Sequence, residues 1–354
     1  MAGDSKAKVI PLHGNSGRAA AQRRAGHRTQ SSRQHPSLLS EPDTRASADE
    51  IAAVVREIDQ HRRGASRSGA EQPTNELALK VSAVADFLRH RLTGDYSVDE
   101  FGFDPHFNDA IVRPLLRFFF RSWFRVEVSG VEHLPDTGAG LVVANHAGVL
   151  PFDGLMASVA VHDEHPAHRD LRLLAADMVF DLPMVSAAAR KAGHTMACTA
   201  DAHRLLASGE LTAVFPEGYK GLGKRFKDRY KLQRFGRGGF VAAALRTKAP
   251  IVPCSIVGSE EIYPMLADVR LLARLFGLPY FPITPLFPLA GPAGLVPLPS
   301  KWHIAFGEPI PTEHYAAADA EDPMVTFELT DQVRETIQQT LYQLLAGRRN
   351  MFFG

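Results

Sequence analysis

Leu141-Val-Val-Ala-Asn145-His146-Ala-Gly-Val-Leu-Pro-Phe-Asp153-Gly154 carries the reading of this chain. An apolar run ends in Asn-His, a Gly/Pro loop follows, and an Asp stands where the next helix, Gly154 to Val161, is expected to begin. Such a strand, loop and helix place an imidazole and a carboxylate at a strand's carboxyl end, where open α/β sheets bind ligands. Two readings are open. A carboxylate on one ring nitrogen lets the other take a proton from a hydroxyl near neutral pH. Alternatively, Asp153 is only a helix N-cap beside a loop histidine.

The texture around this stretch is that of an α/β domain. Val126–Val128, Leu141–Ala144, Leu171–Ala175, Thr212–Phe215, Ile251–Val257 and His303–Phe306 read as short apolar strands with helical segments between them. They predict a mostly buried mixed sheet flanked by helices, with an N-terminal helical extension. The chain of 354 residues, 45% hydrophobic, is long enough to bury a real core. Its parts read as a basic tail over 1–45 without hydrophobic period, a helical extension over 46–109, the α/β domain over 110–320, and a C-terminal helix and tail over 321–354. Ser47 with Glu50 forms a capping-box pattern before Ile51, Val54, Val55 and Ile58, and a second helix is expected from Asn75.

Charge and cysteine content exclude several classes. The net charge of +1 argues against a protein that coats nucleic acid, although residues 1–40 hold an excess of six positive charges. Two cysteines, Cys198 and Cys254, form no disulfide framework, and a reducing, cytoplasmic setting is expected. Cys198 is expected to be a small buried residue. No apolar h-region follows the basic N-terminus, and no uncharged apolar stretch is long enough to span a bilayer. His162-Asp-Glu-His165-Pro-Ala-His168 is read as a polar surface loop, since Pro166 breaks the helix that would align three ligands.

A second segment, Leu211-Thr-Ala-Val-Phe215-Pro216-Glu217-Gly218, again runs from a strand into a turn. Pro216 should end the strand and leave Glu217 exposed, either as a hydrogen-bond acceptor for a polyol or as a solvated turn acid. With Asn145-His146 and Asp153, Ala249-Pro250-Ile251-Val252-Pro253 and Phe306-Gly307-Glu308-Pro309-Ile310, these blocks resemble, in order, those of the glycerolipid acyltransferase family, the PlsC-like enzymes. The resemblance spans about residues 130 to 310 and has features of the branch that acylates mono- and diacylglycerol. It implies an O-acyltransferase that takes a fatty acyl group from acyl-CoA or acyl carrier protein. The acceptor would be glycerol-3-phosphate, a lysophospholipid or a mono- or diacylglycerol. His146 would be the general base and Asp153 its orienting partner. Asn145, Glu217 and Gly218 would contact substrate, and neither a metal nor another cofactor is expected.

Two departures stand out. Six residues, Ala147 to Phe152, separate His146 from Asp153 where the family has four, so the loop must bulge; Gly148 and Pro151 permit it. The family's second block carries an Arg for the acceptor phosphate, whereas Gly193 to Asp201 has none. A substitute is expected after Gly218, where Lys220, Lys224, Arg225, Lys227, Arg229, Lys231, Arg234 and Arg237 face only Asp228. Gly218-Tyr-Lys-Gly-Leu-Gly223-Lys224 mimics a P-loop, but Arg225 stands where Ser or Thr would hold magnesium.

Membrane contact is expected from Ile111 to Val126, where Arg113, Arg117 and Arg121 recur every four residues beside Trp123, Phe124 and other apolar side chains. Val269 to Pro299 is a second apolar candidate. The combined expectation is a cytoplasmic enzyme, peripheral on the inner face of the membrane. The competing class is a non-catalytic lipid-binding or membrane-tethering protein on the same fold.

Overall fold

The strand segments of the sequence form one seven-stranded sheet with a single reversal of direction. The computed structural model describes residues 96–353 other than 182 and 237, together with residues 85, 89, 91, 93 and 94. The basic tail, the first expected helix and most of the second lie outside the described residues.

Among the described residues there are nine strands: β1 Glu127–Ser129, β2 Gly140–Ala144, β3 Leu171–Ala175, β4 His194–Met196, β5 Leu211–Val214, β6 Ile251–Val257, β7 Ala267–Asp268, β8 Pro282–Ile283 and β9 His303–Phe306. The main sheet has the order β1-β9-β6-β2-β5-β3-β4, and β7 pairs with β8 separately. All neighbours in the main sheet run parallel except β6 and β9. The β4 and β7–β8 pairings were not read from the sequence. His194–Met196 is three residues long, and β7 and β8 have two each, too short for a period to register.

The helices that matter here are α1 Arg113–Phe118, α2 Phe152–Glu164, α3 Pro183–Lys191, α4 Thr199–Ala207, α5 Gly239–Thr247, α6 Arg270–Leu275 and α7 Pro323–Gly347. Because successive strand residues point to opposite faces, β2 feeds two cores. Leu141 and Val143 join Leu205, Val241 and Val333 beneath α4, α5 and α7. Val142 and Ala144 join Leu116, Phe120 and Met156 beneath α1 and α2. All five residues of β2 and all seven of β6 are buried, which accounts for their largely apolar runs.

The topology positions the site. From β2 the chain passes through α2 to β3 and β4, then returns to insert β5 beside β2, and finally crosses to β6 on the other side. The carboxyl ends of β5, β2 and β6 therefore lie side by side.

Candidate active site

Each of these three strands delivers an acid, base or amide to the same edge. Asn145 and His146 directly follow β2, and Asp153 lies in the first turn of α2. The six-residue loop does bulge, with Gly148 at φ +85° and a virtual Cβ there only 3.2 Å from two carbonyl oxygens. It still closes: His146 Nδ1 lies 2.7 Å from Asp153 Oδ2. The same oxygen accepts from Ala147 N–H at 2.9 Å, and Oδ1 accepts from Gly154 N–H at 2.9 Å. Asp153 is fully buried and His146 nearly so. A carboxylate held by two backbone donors favours the Nδ1–H tautomer and leaves the Nε2 lone pair free. The Phe215 ring lies 4.7 Å from the imidazole and limits its rotation.

Asn145 has a different task from the one expected. Its Nδ2 donates to Ile256 O at 3.0 Å and its Oδ1 accepts from Ile256 N–H at 2.7 Å, with no exposed surface. The side chain imitates a strand residue and extends the β2–β6 ladder, so both halves of its amide are used within the protein. It clamps the residue before the histidine and leaves no group for substrate.

Glu217 is also placed differently. The turn acid expected to be exposed is 3% exposed. Its Oε1 accepts from His146 N–H at 2.9 Å and its Oε2 from Gln233 N–H at 2.6 Å, with Lys224 Nζ at 3.3 Å. Lys224 Nζ reaches Glu260 Oε1 at 3.0 Å. The result is a buried Glu-Lys-Glu chain from the β6 end, through the β5 turn, to the backbone of the histidine. Burial pushes the Glu260 carboxyl up to about 7, although Lys224 opposes that shift.

Sequence reasoning missed Glu260, Gln233, Gly221 and Tyr280. Two adjacent acids directly after β6, Glu260 and Glu261, were the available signal for the first. A Cβ on Gly221 would lie 2.6 Å from His146 O, so the short helix Tyr219–Leu222 approaches the catalytic loop at a distance only glycine allows. Gly218, at φ +53° and ψ −142°, makes the turn into that helix. Tyr280 Oη donates to Val149 O at 2.7 Å and braces the loop from outside.

The basic run divides. Lys220, Arg225, Lys227, Lys231 and Arg234 are exposed near the turn, whereas Lys224 is spent on the two glutamates. The Arg229 guanidinium lies over the Phe226 ring at 4.5 Å, and the Arg237 side chain lies outside the described residues.

The expected arginine stripe divides: Arg113 and Arg117 turn toward carboxylates of the domain, whereas Arg121 is 65% exposed. Arg113 is buried and pairs with Asp109 and Asp170. Arg117 forms a fork with Asp163, which also receives Arg121 at 3.0 Å. Burial opposes ionisation of Asp163, but the hydrogen bonds from Arg117 and His162 and the charges of Arg117 and Arg121 together outweigh it and hold the carboxyl down at about 2. Phe124 is fully buried against Trp302, and Trp123 Nε1 donates to Pro297 O at 2.9 Å. The solvent face of this segment is instead Ile111, Leu115 and Phe118. Carboxylates at the end of α2 and before β3 out-compete water for the guanidinium groups, so helix periodicity located the stripe but not its direction.

Two smaller expectations also change. Cys198 is exposed, because its Sγ caps α4 by accepting from Asp201 N–H at 3.4 Å. His165 is buried, with Nε2 3.3 Å from Leu134 O.

Comparison with known proteins shows what the chain resembles. A family model described as Acyltransferase matches residues 125–257, from the residues before β1 to the end of β6, and contains His146, Asp153 and Glu217. An uncharacterized protein of Mycobacterium tuberculosis is 82% identical over 356 residues, covering 100% of this chain and 99% of that one. Another from Mycobacterium leprae is 77% identical over 359 residues, covering 100% and 98%. The "DGAT1/2-independent enzyme synthesizing storage lipids" of Homo sapiens is 26% identical over 223 residues, covering 61% of this chain and 60% of that one. Among solved structures, the 1-acyl-sn-glycerophosphate acyltransferase PlsC from Thermotoga maritima is similar, at 20% identity and TM-score 0.44, covering 68% of this chain and 83% of that one. Residues 125–257 are thus similar to acyltransferases.

Proposed function

We propose that this protein transfers a fatty acyl group from a thioester, acyl-CoA or acyl carrier protein, to a hydroxyl of a glycerolipid. The observation that carries the reading is the buried His146–Asp153 pair at the carboxyl edge of β2. The acceptor hydroxyl gives its proton to His146 Nε2 as its oxygen attacks the thioester carbonyl. Asp153 stabilises the imidazolium so formed. The tetrahedral intermediate then expels the thiolate, which takes the proton from Nε2, and a new ester and a free thiol result. Because a thioester is already activated, the protein supplies a base, positioning and charge stabilisation, and the reaction requires neither a covalent acyl-enzyme nor a metal.

The closed loop supports catalysis over a purely tethering role: despite the six residues between them, His146 and Asp153 remain in contact. Exposed Lys220 and Arg225 suit the phosphates of the donor or of an acceptor headgroup. The similarity to an enzyme named for storage-lipid synthesis, together with the absence of Arg from Gly193 to Asp201, favours a neutral glycerolipid acceptor such as monoacylglycerol. Among the described residues no helix is long and apolar enough to cross a membrane. That fits an enzyme held peripherally on the inner membrane face from the cytoplasm.

The test is acyl transfer from acyl-CoA and from acyl carrier protein to a panel of glycerol-3-phosphate, lysophosphatidic acid and monoacylglycerol. Transfer by the wild type that is lost in His146→Ala is expected. Wild-type turnover by that variant would refute the mechanism, and lipid binding without transfer from any donor would favour the tethering alternative.

A further inference from the structure

The chain between β6 and β9 is far longer than those two strands require. They are antiparallel neighbours that a tight hairpin would join, yet residues 258–302 intervene and carry β7, α6 and β8. This excursion is unusually apolar on its outside. Leu271 is 76% exposed, Leu275 73%, Phe276 61% and Leu289 90%. Single exposed leucines are ordinary, but this many on one excursion form a patch that water disfavours.

Its polar content says what kind of surface it fits. From Val269 to Pro299 the only charged residues are Arg270 and Arg274, both exposed and flanking Leu271 and Leu275 on α6. The two hydroxyls of the stretch are engaged internally, Tyr280 on Val149 O and Thr284 with Phe287 N–H. A protein partner would meet about one hydrogen-bonding group per 100–200 Å² of interface, and here it would find almost none. A lipid surface asks for apolar side chains and cations, and both are present. Trp123, five residues past the end of α1, ties that segment to the excursion by donating to Pro297 O at 2.9 Å.

The root of the excursion touches the catalytic loop. Tyr280 Oη holds Val149 O between His146 and Asp153, and the Tyr280 ring lies beside Gly223, just past the Glu217 turn helix. We propose that the excursion between β6 and β9 docks the protein on an anionic phospholipid surface, with Leu271, Leu275 and Phe276 inserted and Arg270 and Arg274 at the headgroups. We assign Tyr280 as the positioning residue that ties this element to the His146 loop. The docking half stands on the surface alone, and the positioning half rests on the acyl-transfer reading.

The test uses the full chain and vesicles of phosphatidylcholine with and without phosphatidylglycerol, at low salt and at high salt. High salt screens attraction by the basic N-terminal segment and leaves apolar insertion in place. The double variant Leu271→Glu with Leu275→Glu is expected to partition onto vesicles at least about tenfold less at either salt. Leu289→Ser repeats the measurement with a milder change at a position nine-tenths exposed. Unchanged partitioning in both variants would overturn docking. So would a wild-type dimer in solution that the double variant dissociates without loss of vesicle binding, which would assign the patch to a second copy of the chain. Tyr280→Phe is expected to bind vesicles as the wild type does and to lower kcat about tenfold with KM unchanged. Unaltered kcat, or a KM effect alone, would overturn its positioning role. If the wild type transfers acyl groups to nothing, the function proposed above fails while the vesicle comparison still decides docking.

Discussion

At the residue scale the site is a histidine held in place by acids that never meet solvent. Asp153 accepts three hydrogen bonds and Glu217 accepts two from backbone N–H groups besides its contact with Lys224. Asp153→Asn presents an amide N–H₂ to groups that are themselves donors. Its kcat is expected to fall about 10²- to 10⁴-fold, with a loss of about 1–3 kcal/mol in unfolding free energy, measured by transfer assay and by denaturant titration. Glu217→Gln distinguishes two roles. If Glu217 braces the histidine, the variant loses about 1–3 kcal/mol and lowers kcat; if it binds the acceptor, KM rises and the unfolding midpoint stays in place. The buried geometry predicts the first outcome. Phe215-Pro216-Glu217-Gly218 was legible as a site segment, but burial of Glu217 was not, because the donors that surround it come from residues 146, 224 and 233.

At the scale of elements, the close approach at Gly221 and the pairing of Arg117 with Asp163 join separate parts of the structure. Gly221→Ala places a methyl group against the His146 carbonyl, and overpacking of this kind typically costs about 1–3 kcal/mol. Thermal unfolding and the transfer assay should both register it, because the short helix can only retreat by moving the Glu217 turn. Arg117→Ala leaves Asp163 with Arg121 and His162 and is expected to lower the melting temperature. The same pairing has a pH signature. Asp163 is held below its usual value, so its contribution is present above about pH 4 and is lost as pH falls through about 2. An acid-unfolding curve of Arg117→Ala should show a smaller loss, since Arg121 and His162 remain. The sheet's central strands were readable from apolar runs because each is buried on both faces. The edge strand β4 and the β7–β8 pair were not, since short strands take their conformation from neighbours.

At the scale of the whole molecule, stability should depend on pH through Glu260. Its carboxyl is raised toward 7 by burial, while in the unfolded chain it titrates near an ordinary carboxylate. Between those two values the unfolded chain has released a proton that the folded protein retains, so this group's contribution falls as pH rises from about 4.5 to about 7 and then levels off. Melting temperature against pH should show the decline in the wild type and not in Glu260→Gln. The distribution of charge has a related meaning. The chain is nearly neutral, yet exposed lysines and arginines gather at the Glu217 turn and on α6, beside the apolar excursion.

Sequence by itself determined the longer strands, the His146–Asp153 pair, the Phe215 to Gly218 turn and the resemblance to acyltransferases, because each depends on residues close along the chain or on blocks in a set order. Tertiary structure decided what those residues do for one another. It turned Asn145 and Glu217 from ligands for substrate into supports for the histidine, and it turned the arginines of α1 toward Asp163 and Asp170. It also brought Glu260 and Tyr280 to a loop more than a hundred residues earlier. The physical reason is common to all four cases. A polar side chain's role is set by which donors and acceptors bury it, and those come from strands that topology, not sequence proximity, makes adjacent.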